Sequence, residues 1–317
     1  EMMVVFQQLA ADDQDSVRSL VVENCIAVAQ VLDKEDNATY VIPIVQSCVS
    51  DKSWRVRYNV AHNFVALCQV LGEEVTRSEF ASAFVRMLRD SEAEVRIAAA
   101  SKMTGVAQIL EVDSTIKNII PCIHDLLADA SRHVRAALAS DIMGLAPILG
   151  RDYTLSQMLD MYLHLLKDDF PEVRLNIISK LDKVTDVIGI EMLSQHLMPA
   201  IVELAEDKQW RVRLAIIEYI PLLAAELGVE FFNEKLSALC MTWLGDNVYK
   251  IREAATNNLK KLTEVFGVQW AQNSVIPKVL ELHAHPNYLY RMTALFSVTV
   301  LSSVVGAEVI NDTMLPI

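Results

Sequence analysis

Eight arginines, Arg18, Arg57, Arg96, Arg135, Arg174, Arg213, Arg252 and Arg291, stand 39 residues apart with no insertion between them. A chain held to one such frame grows by adding equivalent modules, so it never builds a single central core. Each arginine closes a segment of one form: aspartate, several mixed residues, then Val or Ile before the Arg. The seven clear copies read DDQDSVR, DKSWRVR, DSEAEVR, DASRHVR, DDFPEVR, DKQWRVR and DNVYKIR, and HPNYLYR is a degenerate eighth. Gly72, Gly150, Gly189, Gly228, Gly267 and Gly306 keep the same register, as do Pro43, Pro121, Pro199, Pro277 and Pro316. Three residue types in one frame exclude coincidence.

Within a module the apolar period is helical. Val56, Val60, Phe64, Leu67 and Leu71 fall on one face of an amphipathic helix, as do Val173, Ile177, Leu181, Val184 and Ile188, and Val212, Ile216, Ile220, Leu223 and Leu227. The column glycine follows the stripe, where a helix end favours a residue tolerant of positive φ. The column proline lies in the preceding helix and predicts a kink or a late start there. Each module is therefore a shorter first helix, a tight turn, a longer second helix and a second turn. The fold class is all-α, a paired-helix superhelical solenoid read as one domain over 1–317. Full repeats run 34–72, 73–111, 112–150, 151–189, 190–228, 229–267 and 268–306, with partial repeats at 1–33 and 307–317. Neither end carries a polar capping repeat, which is expected of an internal stretch of a longer array.

The aspartates Asp12, Asp51, Asp90, Asp129, Asp168, Asp207 and Asp246 precede the second helix, where a side-chain oxygen can cap free N–H groups. Each column arginine can reach carboxylates or carbonyls of the adjacent repeat with its planar fork. Together, Asp51, Arg57, Asp90, Arg96, Asp129, Arg135, Asp168, Arg174, Asp207, Arg213, Asp246 and Arg252 are read as a structural ladder. A phosphate-binding arginine row is disfavoured by the interleaved aspartates.

More informative is the position three residues before each arginine: Asp15, Trp54, Ala93, Arg132, Pro171, Trp210, Tyr249 and Tyr288. A helix pair does not need large aromatics at a solvent-facing turn. Trp210, Tyr249 and Tyr288 follow in succession beside the cations Arg211 and Lys250, and Trp54 with Arg55 repeats the pattern alone. Aromatic rings beside arginine are the usual make-up of interface hot spots. The competing reading folds each ring back onto the next repeat.

Several function classes are set aside. A formal net charge of −13 argues against nucleic acid as main partner and suits partners with basic patches. Cys25, Cys48, Cys68, Cys122 and Cys240 are odd in number and never in a C-x-x-C pair, so neither disulfide framework nor zinc site is expected, and a reducing cytoplasmic or nuclear setting fits. The chain opens Glu1, Met2, Met3 without secretory character. Met292 to Ala307 is free of charge and is read as a core helix rather than a membrane span. No phosphate-cradling glycine loop, G-x-S-x-G elbow or H-E-x-x-H motif occurs, so the chain is read as a non-enzyme without cofactor or metal.

A 39-residue helix pair with Asp and then Val-Arg resembles the HEAT repeat. The strings DKSWRVRYNVAHNF, PEVRLNIISKLD, QWRVRLAIIEYIPLLAAELGVEFF and YKIREAATNNLKKL further resemble the scaffold (A) subunits of serine/threonine protein phosphatase 2A, and the resemblance extends along essentially the whole chain. It implies a bridging role between the catalytic subunit of that phosphatase and a variable regulatory B subunit, both held through the intra-repeat turns. Carried over by position, Trp54 and Arg55 belong to the regulatory side. Trp210, Arg211, Arg213, Tyr249, Lys250 and Tyr288 belong to the catalytic side. Ala93 and Pro171 fall where no strong anchor is expected. Two rival readings are a karyopherin-like cargo carrier, usually less uniform in its repeats, and a helical-repeat glycosylase, which the acidic balance disfavours.

Overall fold

The structure, a computed structural model, describes residues 2–314. It is all-α, with no strand among the described residues. Pro316 of the proline column lies outside them. Although the repeat frame is unbroken, the chain forms two compact units, Glu1–Ile188 and Gly189–Ile317.

In the first unit, second helices start at Asp15, Trp54, Ala93, Arg132 and Pro171 and pack side by side. The stripe residues Val56, Val60, Phe64 and Leu67 are sealed from solvent, and the Phe64 ring stacks on Phe84 at 5.2 Å and meets Phe80 edge-on at 5.9 Å. One side chain thus ties the second helix of one repeat to the first helix of the next. In the second unit the second helices are Trp210–Lys235, in which two helices meet at Gly228, then Tyr249–Phe266 and Tyr288–Val305. There Val212, Ile216, Ile220 and Leu223 are buried, and Leu227 is only half-buried.

The six column glycines have φ between 80° and 93°. At Gly72 and Gly150, ψ is 162° and 175°, a region essentially closed to residues with a Cβ. Where the column lacks glycine, at Asp33 and Glu111, the chain turns through ordinary extended backbone.

Pro43, Pro121 and Pro277 each follow an interruption of the first helix, as expected, the last two standing in the opening turns of Ile120–Leu127 and Ile276–Glu281. Interruptions also occur where the first helix has no proline. The first helices widen into a π-turn at Asn37–Val41, Thr76–Phe80, Thr154–Met158 and Ile310–Met314, and the second and third of these lie in first helices without a proline. Pro199 sits inside the uninterrupted helix Ile190–Ala205. In two of the π-turns the buried Thr76 and Thr154 hydroxyls donate to the Gly72 and Gly150 carbonyls at 2.9 and 2.8 Å and hold the opening turn. A widened turn shifts the carbonyl a proline ring would strike, so proline is tolerated there without being the cause.

Three second helices of the first unit are not the single long helices expected. They break after Ala100, at Asp141–Leu145 and after Ile178, in one register of the repeat. Ser101 and Ser179 bond back to the Ala98 and Asn176 carbonyls, which competes with helix continuation. At the first break the Thr104 amide donates to Asp141 Oδ2 of the following repeat at 2.7 Å. Neighbouring helices come so close here that a Cβ on Gly144 would stand 2.5 Å from Thr104 Oγ1.

Tyr288–Val305, which holds most of the charge-free stretch from Met292 to Ala307, is not the fully enclosed core helix expected. It is long and apolar enough to cross a membrane by length and composition, yet only 28% of it is buried. Thr293, Ala294, Ser297, Leu301 and Val305 are its buried residues, while Met292 and Leu295 are exposed.

Candidate functional site

The intra-repeat turns carry two superposed features, an ion-pair ladder and a row of helix-starting residues. In the first unit Arg18, Arg57, Arg96 and Arg135 each grip the aspartate 33 residues on with both Nε and Nη2. The distances are 2.7 and 2.8 Å to Asp51, 2.7 and 2.9 Å to Asp90, 2.7 and 3.1 Å to Asp129, and 2.6 and 3.1 Å to Asp168. In the second unit Arg213 holds Asp246 at 2.9 and 3.0 Å. The remaining Nη1 of each fork donates to the carbonyl of its own repeat's turn, as in Arg57 to Asp51 at 2.8 Å and Arg213 to Asp207 at 2.6 Å. Arg174 and Arg252 make this inward bond to Asp168 and Asp246. These five forks are occupied by protein groups, so they offer no row of open guanidiniums for phosphate.

The aspartates do not cap the second helix as expected. Each lies too far upstream, and its Oδ1 instead accepts the N–H two residues on, outside the helix: Ser53 for Asp51, Ser131 for Asp129, Phe170 for Asp168 and Gln209 for Asp207. The carboxylate therefore closes its own turn, and in the completed rungs it receives the neighbour's fork at once. Burial opposes ionisation of Asp51, Asp90 and Asp168. The arginine hydrogen bond, the turn amide and the arginine charge together outweigh it, and all three are held below the usual aspartate range.

The row that looked like turn positions is the first residue of each second helix. Trp54 is half-buried, with the Arg55 guanidinium 5.0 Å above its ring, and Tyr58 meets it edge-on at 6.5 Å. Tyr58 in turn stacks on His62 at 5.9 Å, giving an aromatic run along one helix face that the column reading passed over. Spacing of four residues was its signal. In the second unit Trp210 is half-buried under Arg211 at 4.7 Å, while Tyr249 and Tyr288 are 57% and 60% exposed. These three begin consecutive second helices that pack side by side. Lys250 is paired to Glu253 at 2.7 Å, and the Tyr249 hydroxyl donates to the same carboxylate at 3.3 Å. A groove of about 470 Å³ opens beside Trp210, with Leu214, Ile217 and Ala254 on its apolar side and Lys250 and Lys261 along it.

Phe170 was missed because it stands one position ahead of the column, beside Pro171. It is exposed in the turn, with Arg132 and Arg135 at 5.2 and 5.4 Å from its ring. All five cysteines are free and buried, and burial pushes Cys25, Cys68 and Cys240 up to about 12. Among the described residues no group of three or more His, Cys, Asp or Glu side chains could hold a metal ion.

Family comparison covers nearly all of the chain from residue 41 onward. The PIK3R4-like middle domain matches residues 150–317, just over half of the chain; the PPP2R1A-like HEAT repeat matches 73–150 and the HEAT repeat 41–71. The chain belongs to the HEAT-repeat family. Its second half is of the PIK3R4-like middle-domain type, and the repeats over 73–150 are of the PPP2R1A-like type. Among curated relatives, the protein phosphatase PP2A regulatory A subunit of Schizosaccharomyces pombe (strain 972 / ATCC 24843) is 52% identical over 46 residues, and that of Pisum sativum 54% over 45 residues. Each stretch is 14% of this HEAT chain, and only 8% and 11% of those relatives' own lengths. Among solved structures, importin beta is similar at a TM-score of 0.66 with 12% identity, covering 97% of this chain and 42% of that one. A Kap121p mutant is similar at 0.64 and 14%, covering 99% and 35%. At such identities the likeness is one of HEAT fold alone.

Proposed function

We propose that this HEAT chain is a non-enzymatic scaffold that bridges the catalytic and regulatory B subunits of a type 2A phosphatase. The observation that carries the reading is the Trp210–Tyr249–Tyr288 edge, in which two rings stay exposed beside Arg211 and Lys250. Local identity to PP2A regulatory A subunits supports the choice of partner. Trp210, Arg211, Tyr249, Lys250 and Tyr288 would hold the catalytic subunit, with Arg213 fixing the turn beneath them. Trp54 and Arg55 would receive the regulatory one. The mechanism is geometric: two proteins held on one array meet at a raised effective concentration.

Capture of purified phosphatase 2A catalytic subunit by the immobilised chain tests this. Trp210→Ala is expected to weaken capture by roughly 30-fold or more, the scale of an interface hot spot of about 2 kcal/mol, with the melting temperature little changed. Unchanged capture together with a sharply lower melting temperature would make the ring internal packing and sink the assignment. A second reading follows from the match over 150–317, in which the array is the middle part of a PIK3R4-like protein. A wild-type chain that wholly ignores the catalytic subunit would favour it.

A further inference from the structure

The ladder has a rung whose acceptor is replaced. In the second unit Arg252 donates through Nη1 to the Asp246 and Asn247 carbonyls at 2.8 and 3.2 Å, the same inward grip that Arg57 and Arg213 make. A guanidinium is planar and its donors form a rigid fork. Anchoring Nη1 in this way therefore aims Nε and Nη2 outward, as in the five completed rungs. Yet the residue 33 positions on is His285, not aspartate. Its Nδ1 takes over one task of the missing carboxylate by accepting the Asn287 N–H at 3.1 Å, and its ring stacks on Tyr290 at 3.9 Å. Neither leaves an acceptor for Arg252, whose outward edge has no partner among the described residues. Arg252 is only 9% exposed, and its guanidinium lies 5.8 Å from the exposed Tyr249 ring.

A largely buried arginine whose outward fork still opens to solvent and lacks its counter-ion favours an anion there, because a charge with few water contacts and no partner is costly. We propose that Arg252 is the receptor for a partner's aspartate or glutamate side chain, presented at the edge between Tyr249 and Tyr288. This rests on the reading of that edge as a protein-binding surface. A planar two-oxygen carboxylate matches the fork as the five internal aspartates do. The neighbouring rings would shield the pair from water.

The test uses the intact chain labelled with ¹⁵N-arginine and two probes, a short acetylated aspartate peptide and its asparagine twin. The aspartate peptide is expected to move the Arg252 Nε–H resonance, and the asparagine peptide to leave it in place. His285→Asp supplies the carboxylate from within, so it should abolish the response and raise the melting temperature. His285→Asn retains the turn acceptor without adding a carboxylate and should keep the response. Equal responses to both peptides, or equal loss in both variants, would overturn the site. Failure of the wild-type chain to capture the catalytic subunit would instead remove the phosphatase reading and leave the peptide result standing.

Discussion

Asp168→Ala is expected to destabilise the first unit by about 3–5 kcal/mol, the usual result of leaving one member of a buried ion pair without its partner. The side chain is only 5% exposed and its partner Arg135 13%, so solvent screens the pair weakly. The same oxygens also hold the turn, since Asp168 Oδ1 accepts the Phe170 amide at 2.9 Å. Alanine therefore removes the counter-ion of one repeat and the turn closure of the next together. Arg135→Lys is the milder comparison, keeping the charge and losing the fork. Urea unfolding followed by circular dichroism measures both; a loss below about 1 kcal/mol for Asp168→Ala, the scale of an exposed pair, would mean that the rung contributes little.

The ladder also sets the sign of the acid response. Asp51, Asp90 and Asp168 are all held below the ordinary aspartate range, so folding favours their ionised forms. Their contribution is complete above the unfolded value of about 4 and drains as pH falls through the lower native values. Asp141, raised by burial, moves the other way and favours the fold most at low pH. Three against one makes a melting temperature that falls between about pH 4 and pH 2 the expected outcome.

Phe64→Ala should cost about 3–5 kcal/mol, the range for deleting a buried aromatic ring. The ring is fully buried and touches Phe80 and Phe84 of the next repeat, so the cavity opens between modules rather than inside one. In a linear array each module leans on its neighbours, and loss of one interface uncouples the flanking segments. Hydrogen exchange should accordingly accelerate in both 54–71 and 81–88. Protection lost in only one of these helices would contradict the coupling.

Much of this fold was legible because a repeat reports each position several times. The apolar stripe from Val56 to Leu71, the positive-φ glycines and the arginine column are all statements about helix period and register, which a sequence carries directly. The breaks after Ala100 and Ile178 were not legible, since serines at mid-helix positions are common and only the neighbour's approach makes them stops. The role of the column aspartate was misjudged by a few residues of distance: as a cap it would sit at Ser53 or Ser131, not two positions ahead. At the candidate edge, sequence placed Trp210, Tyr249 and Tyr288 in one row, while their degree of exposure depends on packing. Phe170 escaped because a column reading has no sight of a residue displaced by one.

Every completed rung runs one way, from an arginine to an aspartate 33 residues later, and the Thr104 amide likewise meets a carboxylate, Asp141, 37 residues further on. On the ribosome this direction becomes an order of events. At about 5–20 residues per second, each emerging module waits a few seconds for the carboxylate that neutralises its arginine. The youngest module is thus always the one left open to a chaperone, and translation itself moves that opening along the chain.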